Sequence, residues 1–83
     1  MKNIAIKGDA STKNSRKIIE LFISLGAING ENRDGSSTNY YYINEINNIT
    51  YDRLENIPKN FKVYNSIEEY YQGKKQSINY QEI

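Results

Sequence analysis

The sequence of 83 residues contains no cysteine, no histidine, no tryptophan and a single proline. Without cysteine there is no disulfide and no thiol nucleophile, and without cysteine and histidine the usual zinc sites are excluded. The absence of histidine also removes the commonest general acid and base. We therefore expect a protein that is not an enzyme, with no catalytic residue, no bound metal and no cofactor.

Long apolar stretches are missing as well. No run approaches the roughly 20 apolar residues that span a bilayer, and the first residues, Met1 to Ile4, lack the apolar core of a signal peptide. We expect a cytoplasmic protein, in the host cytoplasm if a phage encodes it, with no membrane association. The net charge of +1 is too small for non-specific binding of duplexes, so nucleic acid is not the favoured partner.

A chain of this length has room for one small domain, which would bury only about 60 to 65% of the surface of its unfolded chain. With neither a disulfide nor zinc to add stability, packing or self-association must do so, and we expect a homo-oligomer. We place the single domain at residues 1–73. Residues 74–83 then form a C-terminal arm or an extra strand, or alternatively a frayed tail.

The spacing of apolar residues predicts a small α/β domain with a β-α-β opening, in a two-layer or three-layer sandwich. About four strands are expected, at residues 3–7, 27–29, 40–43 and 61–64. A long helix follows the first strand and ends at Gly26. The first two strands are expected to pair in parallel through a right-handed crossover.

The second half of the chain predicts shorter elements. Residues 44–48 suit a turn. Thr50 is expected to cap a helical turn over residues 51–55, which Pro58 ends. A short last helix is expected to begin at Asn65 or Ser66 and to stop at Gly73.

The junction of the first strand with the long helix carries the functional prediction. A helix start leaves backbone N–H groups unpaired and presents the positive end of the helix dipole, which together favour an anion. The residues predicted to bind a phosphate there are Lys7, Gly8, Asp9, Ser11, Thr12, Lys13, Ser15 and Arg16. The hydroxyl residues are equally typical of ordinary helix caps, and capping is the favoured role of Asp9 over magnesium binding.

Two further features extend this site. Arg33 lies in a polar, glycine-containing segment, residues 30–39, which is typical of an exposed loop. Of the three consecutive tyrosines, Tyr40 and Tyr42 share one face of a strand and Tyr41 the other, so one set can pack in the core while the other stacks on a base. We include Arg33, Tyr40 and Tyr42 among the predicted ligand-binding residues, although sheet packing alone explains at least one tyrosine.

The run Ile4-Ala5-Ile6-Lys7-Gly8-Asp9, followed by Arg16-Lys17-Ile18-Ile19-Glu20 and Leu25-Gly26-Ala27, resembles the opening of small uncharacterised modules of Bacteroidota and their phages. Ala27 stands where those modules usually have glycine. In outline the same segment is also similar to a BRCT domain, in which a hydroxyl residue and a cation grip phosphoserine. Both resemblances imply an α/β sheet with a phosphate site.

From these features we predict non-enzymatic binding of a small phosphorylated ligand, a nucleotide or a cyclic nucleotide. A phage protein of this kind would act as a sponge that sequesters a host immune signal. The first alternative is a protein-interaction module that inhibits a host protein through its tyrosines and its C-terminal arm. A third possibility is binding of single-stranded nucleic acid, which predicts a steep dependence on salt.

Overall fold

The computed structural model describes residues 3–30 and 37–73, with the backbone alone at residues 29 and 30. Its elements along the chain are β1 (Ile4–Lys7), α1 (Thr12–Ser24), β2 (Asn29–Gly30), β3 (Tyr40–Ile43), β4 (Asn48–Asp52), a 3-10 turn (Leu54–Asn56), β5 (Lys62–Tyr64) and a second helix, α2, over residues 67–73. The predicted small α/β domain with one longer and one short helix is confirmed.

The strands form one mixed sheet in the order β2-β4-β3-β1-β5. The strand β1 is antiparallel to β3 and parallel to β5, whereas β4 is antiparallel to β3 and parallel to β2. The strands β1 and β2 therefore run in the same direction, as the β-α-β prediction requires. They are not neighbours, however, because the β3-β4 hairpin lies between them, and the prediction that they pair directly is wrong.

Both helices cover the same face of the sheet, which makes the domain a two-layer sandwich. One core cluster joins the apolar side of α1, including Ile18 and Phe22, with Ile6 and Tyr41 from the sheet and Ile67 from α2. All five of these side chains are at most 2% exposed. The opposite face of the sheet, called here the outer face, carries no α-helix in the described part of the chain.

Residues next to each end of α1 determine where this helix begins and ends, as predicted. The Ser11 hydroxyl caps the start by accepting a hydrogen bond from the Asn14 backbone N–H at 3.0 Å. At the other end Gly26 has a φ of 110°, and the N–H groups of Gly26 and Ala27 donate to the carbonyls of Ile23 and Phe22. This is a Schellman motif, whose left-handed residue is most often glycine.

The segment after β3 differs from the prediction at one point. Residues 44–47 turn as expected, with Asn47 at a φ of 65°. Thr50, however, lies inside β4 and caps no helix. Residues 51 and 52 of the predicted helical turn also belong to β4, and a 3-10 turn without a side-chain cap forms only at Leu54–Asn56. The hairpin pairing of Thr50 with Tyr42 prevails over its local capping tendency.

The last helix begins after Ser66, whose hydroxyl accepts a hydrogen bond from the Glu69 N–H at 3.0 Å. This confirms one of the two predicted starts. Gly73 is still helical, and the predicted arm, residues 74–83, lies outside the described residues. No helix in the described ranges is long and apolar enough to cross a membrane.

Candidate functional site

The junction between β1 and α1 is held close to the segment that precedes β3. The Gly8 N–H donates to the Asn39 carbonyl at 2.9 Å, and the Ala10 N–H donates to the Ser37 carbonyl at 3.3 Å. A Cβ on Gly8 would lie 2.2 Å from the Ser37 carbonyl oxygen and 2.8 Å from a ring carbon of Tyr41. Glycine is therefore required at position 8 by the close approach of a neighbouring backbone.

The start of α1 already holds an anion, which is the Asp9 carboxylate. One carboxylate oxygen accepts the Ser11 N–H at 2.9 Å and the other accepts the Asn14 side-chain amide at 2.6 Å. These hydrogen bonds, the Asn14 one foremost, hold the pKa of Asp9 below its ordinary value. Asp9 therefore does not cap the helix itself, because Ser11 is the cap; it holds the cap residue and the Asn14 side chain, and it supplies negative charge where an external phosphate was predicted to bind.

Ser15 has a structural role. Its side chain is fully buried (0% exposed), and its hydroxyl lies 3.2 Å from the Tyr41 hydroxyl in the core. Because Ser15 is buried and its hydroxyl contacts Tyr41, its side chain cannot contact a ligand at the protein surface. The helical period places it on the inner side of α1, together with Ile18 and Phe22, and the prediction of a binding role had overlooked that period.

The cationic side chains predicted at this junction lie near its surface. Lys13 and Arg16 are exposed on the first turns of α1, and neither forms an ion pair within the described ranges. Lys7 is half-buried at the end of β1, where its Nζ lies 3.4 Å from the Gly8 carbonyl oxygen. Thr12 is also exposed. Together with Asp9, these residues form a charged surface around the helix start.

The three tyrosines of β3 alternate as one of the two predicted arrangements requires. Tyr41 is buried in the core (1% exposed), and Tyr40 and Tyr42 are half-buried on the outer face. Tyr40 is the cross-strand partner of Lys7, so the two side chains share that face at the end of β1. Tyr40 therefore lies in the row of Lys7, whereas Tyr42 lies one row further along the sheet.

The outer face is covered in part by the segment between β4 and β5. Ala5 is fully buried on this face, and Ile57 is buried in the covering segment, yet neither belongs to the core cluster. In the same region the rings of Tyr42 and Phe61 meet edge to face, with centroids 5.9 Å apart. The chain after β4 therefore folds back over the middle of the outer face.

Between that covering segment and the β3-β4 turn lies a cleft of about 420 Å³, within the size range of small-molecule sites. We call it the amide cleft, because four of its nine lining residues are asparagines. The lining residues are Asn3, Tyr42, Ile43, Asn44, Glu45, Asn47, Asn56, Pro58 and Phe61.

The structure thus divides the predicted site. The cations and Asp9 surround the start of α1, Tyr40 joins Lys7, Tyr42 lines the amide cleft, and Arg33 lies outside the described residues. The asparagines of the cleft were not predicted as a site. The clustering of asparagine in residues 44–48 was the available signal, but it also fits an ordinary turn.

No group of three or more acidic side chains that could hold a metal ion occurs within residues 3–30 and 37–73. The whole sequence has no cysteine or histidine, so no thiol or imidazole is present for catalysis. In comparisons with known proteins, the chain matches no family model, no curated protein and no solved structure.

Proposed function

We propose that this protein binds a small phosphorylated ligand, a nucleotide or a cyclic nucleotide, without altering it chemically. The observation that supports the proposal is the pair of exposed cations on the first turns of α1, Lys13 and Arg16, which lack ion-pair partners among the described residues. Lysine and arginine side chains contact phosphate oxygens well, and the helix dipole adds to their attraction.

The Asp9 carboxylate defines how the phosphate binds. Because it already accepts the Ser11 N–H and the Asn14 amide, the phosphate contacts the cationic side chains and leaves these two donors with Asp9. Asp9 also repels a second negative charge nearby. We therefore expect Asp9→Asn to strengthen phosphate binding, since it removes this repulsion and keeps an acceptor for the Ser11 N–H.

The side-chain chemistry of the chain supports binding of the ligand without its chemical conversion. The sequence has no histidine or cysteine, and no acidic metal cluster occurs in the described ranges, so the imidazole, thiol and metal-ion chemistry common in phosphoryl transfer is missing. A phage-encoded protein with this property would act as a sponge for a nucleotide signal of host immunity. Its ligand should be recovered intact after the protein is denatured.

Thermal denaturation in the presence of mono-, di- and cyclic nucleotides and of ADP-ribose tests the proposal. A ligand at 100 times its Kd should stabilise the fold by about 2.7 kcal/mol, which for a domain of this size is a rise in Tm of roughly 10 to 20 °C. The double variant Lys13→Ala/Arg16→Ala should lose this rise. Arg53→Ala/Lys59→Ala is the matched control, because it removes the same two charges from exposed positions away from α1.

A Tm unchanged by every ligand would contradict the proposal. So would an equal rise in the double variant, because the cations would then contribute nothing. Recovery of a chemically altered ligand would instead identify an enzyme.

A second candidate function is protein interaction through the helical layer. Ile23 on α1 is 51% exposed and Tyr71 on α2 is 45% exposed, so both add apolar surface to the helical layer. Tyr71 also lines a groove of about 450 Å³ between the two helices. On this reading, Tyr71→Ser abolishes capture of a host protein or self-association, and Lys13→Ala/Arg16→Ala has no effect.

A further inference from the structure

The amide cleft lies at the end of β1 opposite to the start of α1. Asn3, immediately before β1, lines it, and Lys7 ends the same strand. The cleft therefore differs from the cationic surface in both position and chemistry. Among the described residues that line it there is no lysine or arginine, and Glu45 is the one charged residue.

One wall of the cleft is aromatic. Tyr42 and Phe61 are both half-buried, and their edge-to-face contact fixes the two rings against each other. Ring faces that are held in place suit a planar heterocycle, because stacking needs little reordering of the protein.

The polar wall offers hydrogen-bonding groups whose orientation is already set. The Asn44 side-chain oxygen accepts the backbone N–H groups of Ile46 at 3.1 Å and Asn48 at 2.9 Å. Its Nδ2 group has no acceptor among the described residues and remains as a donor. The Asn56 Nδ2 donates to Asp52 at 3.0 Å, which leaves its Oδ1 as an acceptor.

A fixed donor, a fixed acceptor and an aromatic wall match one class of ligand group. The edge of a nucleobase carries donors and acceptors side by side, and its faces stack on aromatic rings. A phosphate suits this cleft poorly, because Glu45 would repel it and no cation stands among the described lining residues. We infer that the amide cleft binds the base of the nucleotide ligand, an inference that rests on the proposed function for the class of that ligand.

The sheet geometry places Tyr42 of the amide cleft close to Lys7, one of the predicted phosphate-binding residues. Tyr42 lies two residues along β3 from Tyr40, the cross-strand partner of Lys7, a separation of about 7 Å.

The test uses probes that carry one half of the ligand each. The four ribonucleosides carry the base without phosphate, and ribose 5-phosphate carries the phosphate without base. Binding of each to the full 15N-labelled chain is followed through the side-chain amide resonances of Asn44 and Asn56. At least one ribonucleoside should shift these resonances in a saturable way.

Asn44→Asp is the most specific variant. It keeps the side-chain oxygen that accepts the two backbone N–H groups and replaces only the Nδ2 donor. It should weaken ribonucleoside binding about tenfold or more. Gln72→Glu, the same amide-to-acid change at an exposed position on α2, should change it less than twofold. Asn56→Ala should also weaken binding, through loss of the acceptor.

Four outcomes separate the inference from the proposed function. Ribonucleoside binding that Asn44→Asp weakens supports the inference, even if ribose 5-phosphate fails to bind and the phosphate site is thereby rejected. The inference is overturned if no ribonucleoside shifts the cleft resonances. It is also overturned if Asn44→Asp binds as tightly as the original chain. Ribose 5-phosphate binding without ribonucleoside binding overturns the inference and leaves the phosphate proposal standing.

Discussion

Replacement of Gly8 with alanine tests whether this glycine serves packing or a ligand. The added Cβ would lie 2.2 Å from the Ser37 carbonyl oxygen, whereas Cβ contacts below 3.0 Å essentially do not occur. The backbone at Ser37 would therefore have to retreat by at least 0.8 Å, the difference between these two distances. That carbonyl accepts the Ala10 N–H, and Gly8 itself donates to Asn39, so the retreat weakens the contacts that hold the junction.

The expected cost combines about 1 to 3 kcal/mol for overpacking with about 1 kcal/mol for a weakened hydrogen bond. We expect Gly8→Ala to lower the free energy of unfolding by about 3 kcal/mol, and Tm by roughly 12 to 24 °C. Urea unfolding followed by circular dichroism measures the change.

Gly73→Ala is the matched control. A Cβ at this helical position has only an ordinary contact, 3.8 Å from a ring carbon of Tyr64. We expect it to be neutral or to stabilise by up to about 1 kcal/mol. If Gly8→Ala unfolds within about 0.5 kcal/mol of the original chain, the packing argument is refuted, and a ligand-binding role for Gly8 regains support.

Three further changes test other contacts of the structure. Ser11→Ala removes the cap of α1 and should cost about 1 kcal/mol, a fall in Tm of about 4 to 8 °C by thermal denaturation; an unchanged Tm would contradict the capping role. Ser15→Ala and Tyr41→Phe should show a coupling energy of about 1 kcal/mol in a double-mutant cycle, because their hydroxyls meet in the core; additive effects would show that this contact is not stabilising. Because the pKa of Asp9 is lowered in the fold, its contribution to stability is fully present above its usual pKa of 3.8 and is lost as the pH falls through the lowered value. Urea unfolding of the original chain and of Asp9→Asn should therefore differ at neutral pH and converge in acid, and a difference that does not change with pH would reject this role.

The candidate site was only partly predictable from the sequence. The helix start and its cap depend on residues within four positions of one another; the start is as expected, and the cap is Ser11, one of three candidates that also included Asp9 and Thr12. The orientation of Asp9 was harder to foresee, because a carboxylate two residues before the cap can point to solvent or fold back onto the helix. Here it folds back, since the Asn14 amide and the Ser11 N–H offer it two hydrogen bonds.

The amide cleft was beyond prediction because its walls come from distant parts of the chain. Asn3 precedes β1, Tyr42 belongs to β3, and Phe61 follows the covering segment. Their proximity depends on the return of that segment across the outer face, and no local pattern specifies such a return.

By itself the sequence determined the features that arise from near neighbours. Gly26 ends α1 because the left-handed conformation suits glycine, and the alternation of β3 places Tyr41 opposite to Tyr40 and Tyr42. The absence of cysteine and histidine likewise restricts the chemistry of the chain, because no fold can supply a thiol or an imidazole that the sequence lacks.

Only the tertiary structure decided which strands pair and which side chains meet. The β3-β4 hairpin lies between β1 and β2 in the sheet. This order depends on contacts between segments that are far apart in the sequence. The same assembly buries Ser15 against Tyr41 and brings the backbone of Ser37 onto Gly8. Interactions between residues far apart in the chain depend on both partners and on the residues packed around them. They therefore form only in the folded sheet.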